Sequence, residues 1–172
     1  MKTGILKLVL CSCLLAFNVQ AQTEPSEGES ESGQALPRMV SLRSDIINGR
    51  SGPGTRYPIS WIYRQRQAPV EVVAEFDLWR KIKDWKGAES WIHKNMLSSK
   101  RTAKFITPGE NNIYAAPDFN SKVIARAEEE VVAEIQKCPS GKSFCKLKFK
   151  DGIEGWVPRN NLFGVYNNEV ID

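Results

Sequence analysis

Reactive side chains are scarce in this sequence, and their spacing limits what they can do. His93 is the single histidine, two residues after Trp91. A nucleophilic hydrolase needs a nucleophile with a base in hydrogen-bond reach, and the only histidine beside a core-type Trp suits a strand end better. Cys138 and Cys145 have six residues between them around Pro139-Ser140-Gly141-Lys142. One histidine and those two cysteines fall short of a four-ligand zinc set. Glu71/Glu75 and Glu130/Glu134 read as solvent-facing positions on strands. The glycine-rich run Arg50 to Gly54 lacks the pattern of a phosphate-cradling loop. The sequence therefore reads as a non-enzyme, with no catalytic residue, metal or cofactor.

Aromatic residues offer a different chemistry. Trp61, Tyr63, Trp79, Trp85 and Trp91, with Tyr57, cluster in the first half of the chain; the second half has only Trp156 among tryptophans, with Tyr114 and Tyr166. Indole faces dominate binding hot spots and attract Arg and Lys heads. Trp61 and Trp85, with Arg50 and Tyr57 at a glycine-rich loop, are the candidate ligand-binding residues. Trp79, Trp91 and Trp156 are candidate core residues.

An internal repeat positions these residues. Glu71-Val72-Val73-Ala74-Glu75 is identical to Glu130-Val131-Val132-Ala133-Glu134, and Trp91-Ile92 is echoed by Trp156-Val157. A repeat decides the fold before any local reading. With the pentapeptides aligned, the second copy loses about five residues before this strand and gains about six around its cysteines. Trp79 then faces Phe144, whereas Ala125 and Lys150 stand at the positions of Trp61 and Trp85. An aromatic present in one copy and absent from the other is not demanded by the fold. Short runs such as Ile59 to Tyr63 and Trp79 to Trp85, punctuated by turn signals, predict an all-β chain of two small barrels.

Residues 1–21 read as a signal peptide: Lys2 and Lys7, an apolar run from Leu8 to Val19, then Val19-Gln20-Ala21. Leu10-Cys11-Ser12-Cys13 leaves open a lipidated cysteine. The apolar run is shorter than the roughly 20 residues of a spanning helix, so the mature chain has no expected transmembrane segment. Residues 22–36 are acidic and poor in apolar side chains, the composition of a disordered linker. The expected barrels occupy 37–100 and 103–165, with a tail at 166–172. Leu36 to Arg101 carries 13 basic against 6 acidic residues, and Thr102 to Asp172 carries 9 against 10. One basic module thus stands beside a near-neutral one. Export to an oxidising compartment predicts a Cys138–Cys145 disulfide.

Asn48-Gly49-Arg50-Ser51-Gly52-Pro53-Gly54-Thr55 with Tyr57, then Val72-Val73, Trp79, Ile82, Gly87 and Trp91-Ile92, resembles the bacterial SH3-like (SH3b) domain, in two copies from Leu36 to about Phe163. The second copy departs from it with Ala115-Ala116-Pro117-Asp118 in place of the glycine-rich loop. Gly49 stands where the family usually has an apolar residue, implying a looser core contact there, and Ser90 where it usually has glycine before the Trp. The resemblance implies barrels of five or more strands and a binding role in the periplasm or outside the cell, often toward peptidoglycan or its peptides. The resemblance together with the basic charge of the first barrel makes peptidoglycan or another anionic envelope polymer the expected partner, read by that barrel. The alternative is an adaptor that contacts an envelope protein through the same aromatics. Arg64, Arg66, Arg80, Lys81, Lys83 and Lys86 among aromatics would also suit single-stranded nucleic acid, and export argues against it.

Overall fold

The computed structural model describes residues 30–172, so the signal peptide and residues 22–29 lie outside the described residues. Alternating apolar residues build fourteen strands among them: β1 Arg38–Leu42, β2 Ile47–Arg50, β3 Ile59–Tyr63, β4 Pro69–Phe76, β5 Trp79–Lys83, β6 Glu89–His93, β7 Leu97–Ser98, β8 Thr102–Phe105, β9 Asn111–Tyr114, β10 Val123–Ala127, β11 Val132–Lys137, β12 Phe144–Lys148, β13 Glu154–Pro158 and β14 Leu162–Phe163. They form two antiparallel seven-stranded sheets, ordered β3-β2-β6-β5-β4-β1-β7 and β10-β9-β13-β12-β11-β8-β14. Adding seven to each strand of the first gives the second. The chain is two tandem copies of one all-β module.

Strand pairing corrects the alignment of the repeat. β4 pairs Glu71 with Lys83 and Val72 with Ile82, whereas β11 pairs Glu134 with Lys148 and Ile135 with Leu147. Glu134 is therefore the counterpart of Glu71, and the identical pentapeptides lie four residues out of step. The counterpart of Glu130 is Gln67: both have left-handed backbones, at φ 68° and 63°. Both also donate their N–H to the end of the preceding strand, Glu130 to Phe105 O and Gln67 to Leu42 O. Five identical residues can recur by coincidence; the ladder register is fixed by which backbone groups are paired across the sheet.

The same register places Glu75 opposite Arg80 and, in the second copy, Cys138 at Glu75's position and Cys145 at Arg80's. Six residues separate Ala74 from Lys81 and eight separate Lys137 from Lys146. The second hairpin is thus two residues longer, not six.

Each barrel has its own core. Leu42, Ile47, Tyr63, Val70, Val72, Ile82 and Ile92 fill the first; Phe105, Ile113, Ile135, Leu147 and Val157 fill the second, with the disulfide sulfurs of Cys138 and Cys145 buried among them. The contact expected to be loose at Gly49 is full. A Cβ at Gly49 would lie 2.4 Å from Ser90 Oγ and 3.0 Å from the Tyr63 ring, and Tyr63 Oη is 3.0 Å from Ser90 Oγ. In the second barrel the bulk lies on the other strand: Ile113 faces Gly155, where a Cβ would be 2.3 Å from Ile113 Cγ2. The two departures from the family pattern compensate each other.

Residues 30–36 and the C-terminal segment are tied into the fold, beyond the expectation of a linker and a tail. Ser32 donates its N–H and its hydroxyl to Glu75, each at 2.8 Å, so the acidic segment is ordered at least over its last residues. Ile171 bridges Cys138 through two backbone hydrogen bonds.

The barrels touch directly. Lys104 is fully buried, its Nζ 3.4 Å from the centroid of the Trp85 ring and 2.7 Å from Gln65 Oε1, with Glu130 at 3.7 Å. Burial pushes the Lys104 ammonium below its ordinary value, and the Glu130 carboxylate opposes that shift. Thr102 Oγ1 donates to Gln67 O, Gln65 Nε2 to Glu130 O, and Tyr166 Oη to Glu71. Gly164 has φ 113°, and a Cβ there would come within 2.9 Å of Pro69.

Candidate functional site

The candidate site grows from β2. Arg50, the last residue of that strand, turns its guanidinium into the following loop, where Nη1 donates to Thr55 O at 3.0 Å and Tyr57 O at 2.7 Å. The Tyr57 ring closes over the loop from inside: a Cβ on Gly52 would lie 2.4 Å from it, so only glycine fits. The Arg56 guanidinium lies 5.1 Å above the ring on the outer side. The loop is rigid because its own residues fill it.

The loop leads into β3, one of the two edge strands of the first sheet. Ile59, Trp61 and Ile62 there are 46%, 50% and 48% exposed. Trp61 pairs with Gly49, which has no side chain to cover the indole. An exposed edge also presents backbone donors and acceptors that lack a neighbouring strand. Arg50 and Tyr57 thus fix the loop, and the loop leads into an exposed apolar patch on β3 that holds the open indole of Trp61.

Bacterial SH3 domain models match the chain twice, at residues 43–99 and 107–164. The chain belongs to the bacterial SH3 domain family. Domains of this family are generally cell-wall-binding modules, typically without catalysis, and with the disulfide they point to an extracellular or envelope protein. Two solved structures from Trichomonas vaginalis, NlpC1 and NlpC2, are similar at 12% and 14% identity, both with a TM-score of 0.32. The similarity covers 79% and 74% of this chain and 48% of each of those, so the chain spans about half their length. No curated protein matches in sequence.

Within the SH3 framework the remaining candidates separate. Trp85 does not join the patch: it packs on the first core, its face is taken by Lys104, and its buried Nε1 has no partner among the described residues. Its place is the junction of the barrels. Trp91 is buried, Trp79 and Trp156 are half-buried, and none of the three belongs to either core cluster. Trp79 meets His93 edge-on at 5.6 Å, and Lys137 approaches Trp156 at 5.6 Å. His93 Nδ1 accepts the Asn95 N–H, capping the short 3-10 turn Lys94–Met96. Among the described residues no group of three or more His, Cys, Asp or Glu could hold a metal, and no helix is long and apolar enough to cross a membrane.

Sequence reasoning missed two clusters. Glu75, fully buried, accepts from Ser32 and is paired with Arg38 at 2.6 Å and Arg80 at 3.1 Å. Burial would raise its carboxyl; the Ser32 and Arg38 hydrogen bonds and the Arg80 charge outweigh that and hold it below the ordinary 4.5. Arg159 centres the second cluster, donating to the carbonyls of Pro139, Lys142, Tyr166 and Glu169 and tying the hairpin to the C-terminal segment. The arginines were visible; what each would reach was not.

Proposed function

We propose that the protein is a non-catalytic exported binding module that recognises peptidoglycan or its peptides through the first barrel. The observation that carries this reading is the patch on β3, where the indole of Trp61 stands open beside the loop fixed by Arg50 and Tyr57. An extended peptide can pair with a free edge strand while an aromatic face takes an apolar or cationic side chain, and the exposed arginines favour an anionic wall polymer. The second barrel has Ala125 where the first has Trp61, which supports the first as the reader.

Co-sedimentation with purified peptidoglycan sacculi at about 0.15 M salt, where charges beyond roughly 8 Å are screened, tests it. The protein should pellet, Trp61→Ala should lower retention at least tenfold, and Gly52→Ala should weaken it by displacing Tyr57. Protein that stays in the supernatant at that salt would overturn the reading. The free apolar edge of β3 favours a second one, an adaptor that adds an envelope protein's strand to this sheet; it predicts no pelleting and a single co-purifying envelope protein lost with Trp61→Ala.

A further inference from the structure

A second surface lies where the barrels meet, away from Trp61. A cleft of about 360 Å³ is lined by Arg66 and Lys100, by Glu134 on β11, and by Lys148, Phe149 and Lys150 at the end of β12. β12 leaves the ladder after Lys148, so Val132 and Ala133 form a wall with no β12 partner. The sole carboxylate is Glu134, already held at 2.7 Å by Lys100. That leaves Arg66, Lys148 and Lys150 lining the same concavity, with only a 3.8 Å approach of Lys148 to Glu154 to offset them among the described residues.

The equivalence of the barrels makes this cleft informative. The first-barrel counterparts of Val132, Glu134 and Lys150 are Pro69, Glu71 and Trp85, and all three are covered by the second barrel: Pro69 by Gly164, Glu71 by Tyr166, Trp85 by Lys104. The face that serves as a docking surface in the first barrel is open in the second, and its aromatic anchor has become a lysine. The cleft lining takes Arg66 from the first barrel and Lys148 and Lys150 from the second. Holding like charges together is unfavourable unless an anion offsets them, and a guanidinium beside ammonium groups matches phosphate oxygens.

We infer that the cleft between the barrels binds a phosphate-bearing anion, held between Arg66 of the first barrel and Lys148 and Lys150 of the second. This site is independent of the Trp61 patch. Titration of the whole protein with tripolyphosphate at low salt should show saturable one-site binding. Arg66→Ala/Lys150→Ala should weaken it at least fivefold, Glu134→Gln should tighten it, and Trp61→Ala should leave it unchanged. The comparator Lys122→Ala/Lys142→Ala removes the same charge elsewhere and should change affinity less than twofold; thermal midpoints check that all variants fold. Absence of saturable binding, or equal weakening by the comparator, would overturn the inference. Sedimentation with phosphatidylglycerol vesicles then identifies the source: co-pelleting that the Arg66/Lys150 variant loses assigns a lipid headgroup, and no co-pelleting assigns a soluble or polymeric phosphate.

Discussion

The two barrels close the same hairpin by different means. Next to the turn of the β4–β5 hairpin stands the ion pair Glu75–Arg80, strengthened by Arg38 and by Ser32 of the N-terminal segment. At the equivalent place in the β11–β12 hairpin stands the Cys138–Cys145 disulfide, braced by Ile171 of the C-terminal segment. Each barrel thus uses its own chain end to finish the job. One closure depends on charge and fails with acid; the other is covalent and fails with reductant.

The largest effect is expected from breaking the charged closure. Glu75→Ala leaves Arg38 and Arg80 without their carboxylate and should cost about 3–5 kcal/mol, the range for removing one partner of a buried pair; chemical denaturation measures it. Acid acts on the same group. Because the folded-state value of Glu75 is depressed, its contribution is present above the ordinary 4.5 and is lost as pH falls through the depressed folded-state value. Hydrogen exchange followed while the pH is lowered below about 4.5 should therefore show residues 74–81 opening before 137–146. Simultaneous opening would contradict the contrast.

Reductant should reverse that order. The disulfide closes an eight-residue loop, for which chain entropy gives about 2.5 kcal/mol, so dithiothreitol at neutral pH should expose 137–146 first. A double Cys138→Ala/Cys145→Ala variant should reproduce the loss and become indifferent to reductant.

The Gly49–Ser90 and Ile113–Gly155 exchange gives a smaller test. Gly49→Ala should cost about 1–3 kcal/mol through the clash with Ser90. Ser90→Gly alone should cost about 1 kcal/mol by removing the Tyr63 hydroxyl's partner. The double variant should cost less than the sum, with a coupling of about 0.5–3 kcal/mol; strict additivity would mean the contacts do not compensate.

The smallest effect is expected where the barrels agree. Lys81–Glu89 at 2.9 Å and Lys146–Glu154 at 2.8 Å are the same cross-strand pair in each copy, and both are partly exposed. Replacing either lysine by alanine should change stability by less than about 1 kcal/mol, to the same degree in both.

Sequence alone determined that the chain is two small all-β modules, because period-two alternation, glycine turns and a recurring Trp-β-branched pair are local and read directly. It placed Arg50, Tyr57 and Trp61 in the first module for the same reason: loop and edge strand are neighbours in the chain. It also picked out the two cysteines that form the disulfide. Register was another matter. The identical pentapeptides invited an alignment four residues out of step, because ladder register depends on which carbonyl meets which N–H across the sheet, not on similarity along the chain. For that reason the equivalence of Glu75–Arg80 with Cys138–Cys145 was invisible. Trp85 and Lys104 show the same limit. Nineteen positions apart, each looks like a surface residue until docking of the barrels puts the ammonium on the indole. Tertiary structure alone decided which aromatic stayed exposed and which became the joint, since burial between modules depends on contacts that no local pattern encodes.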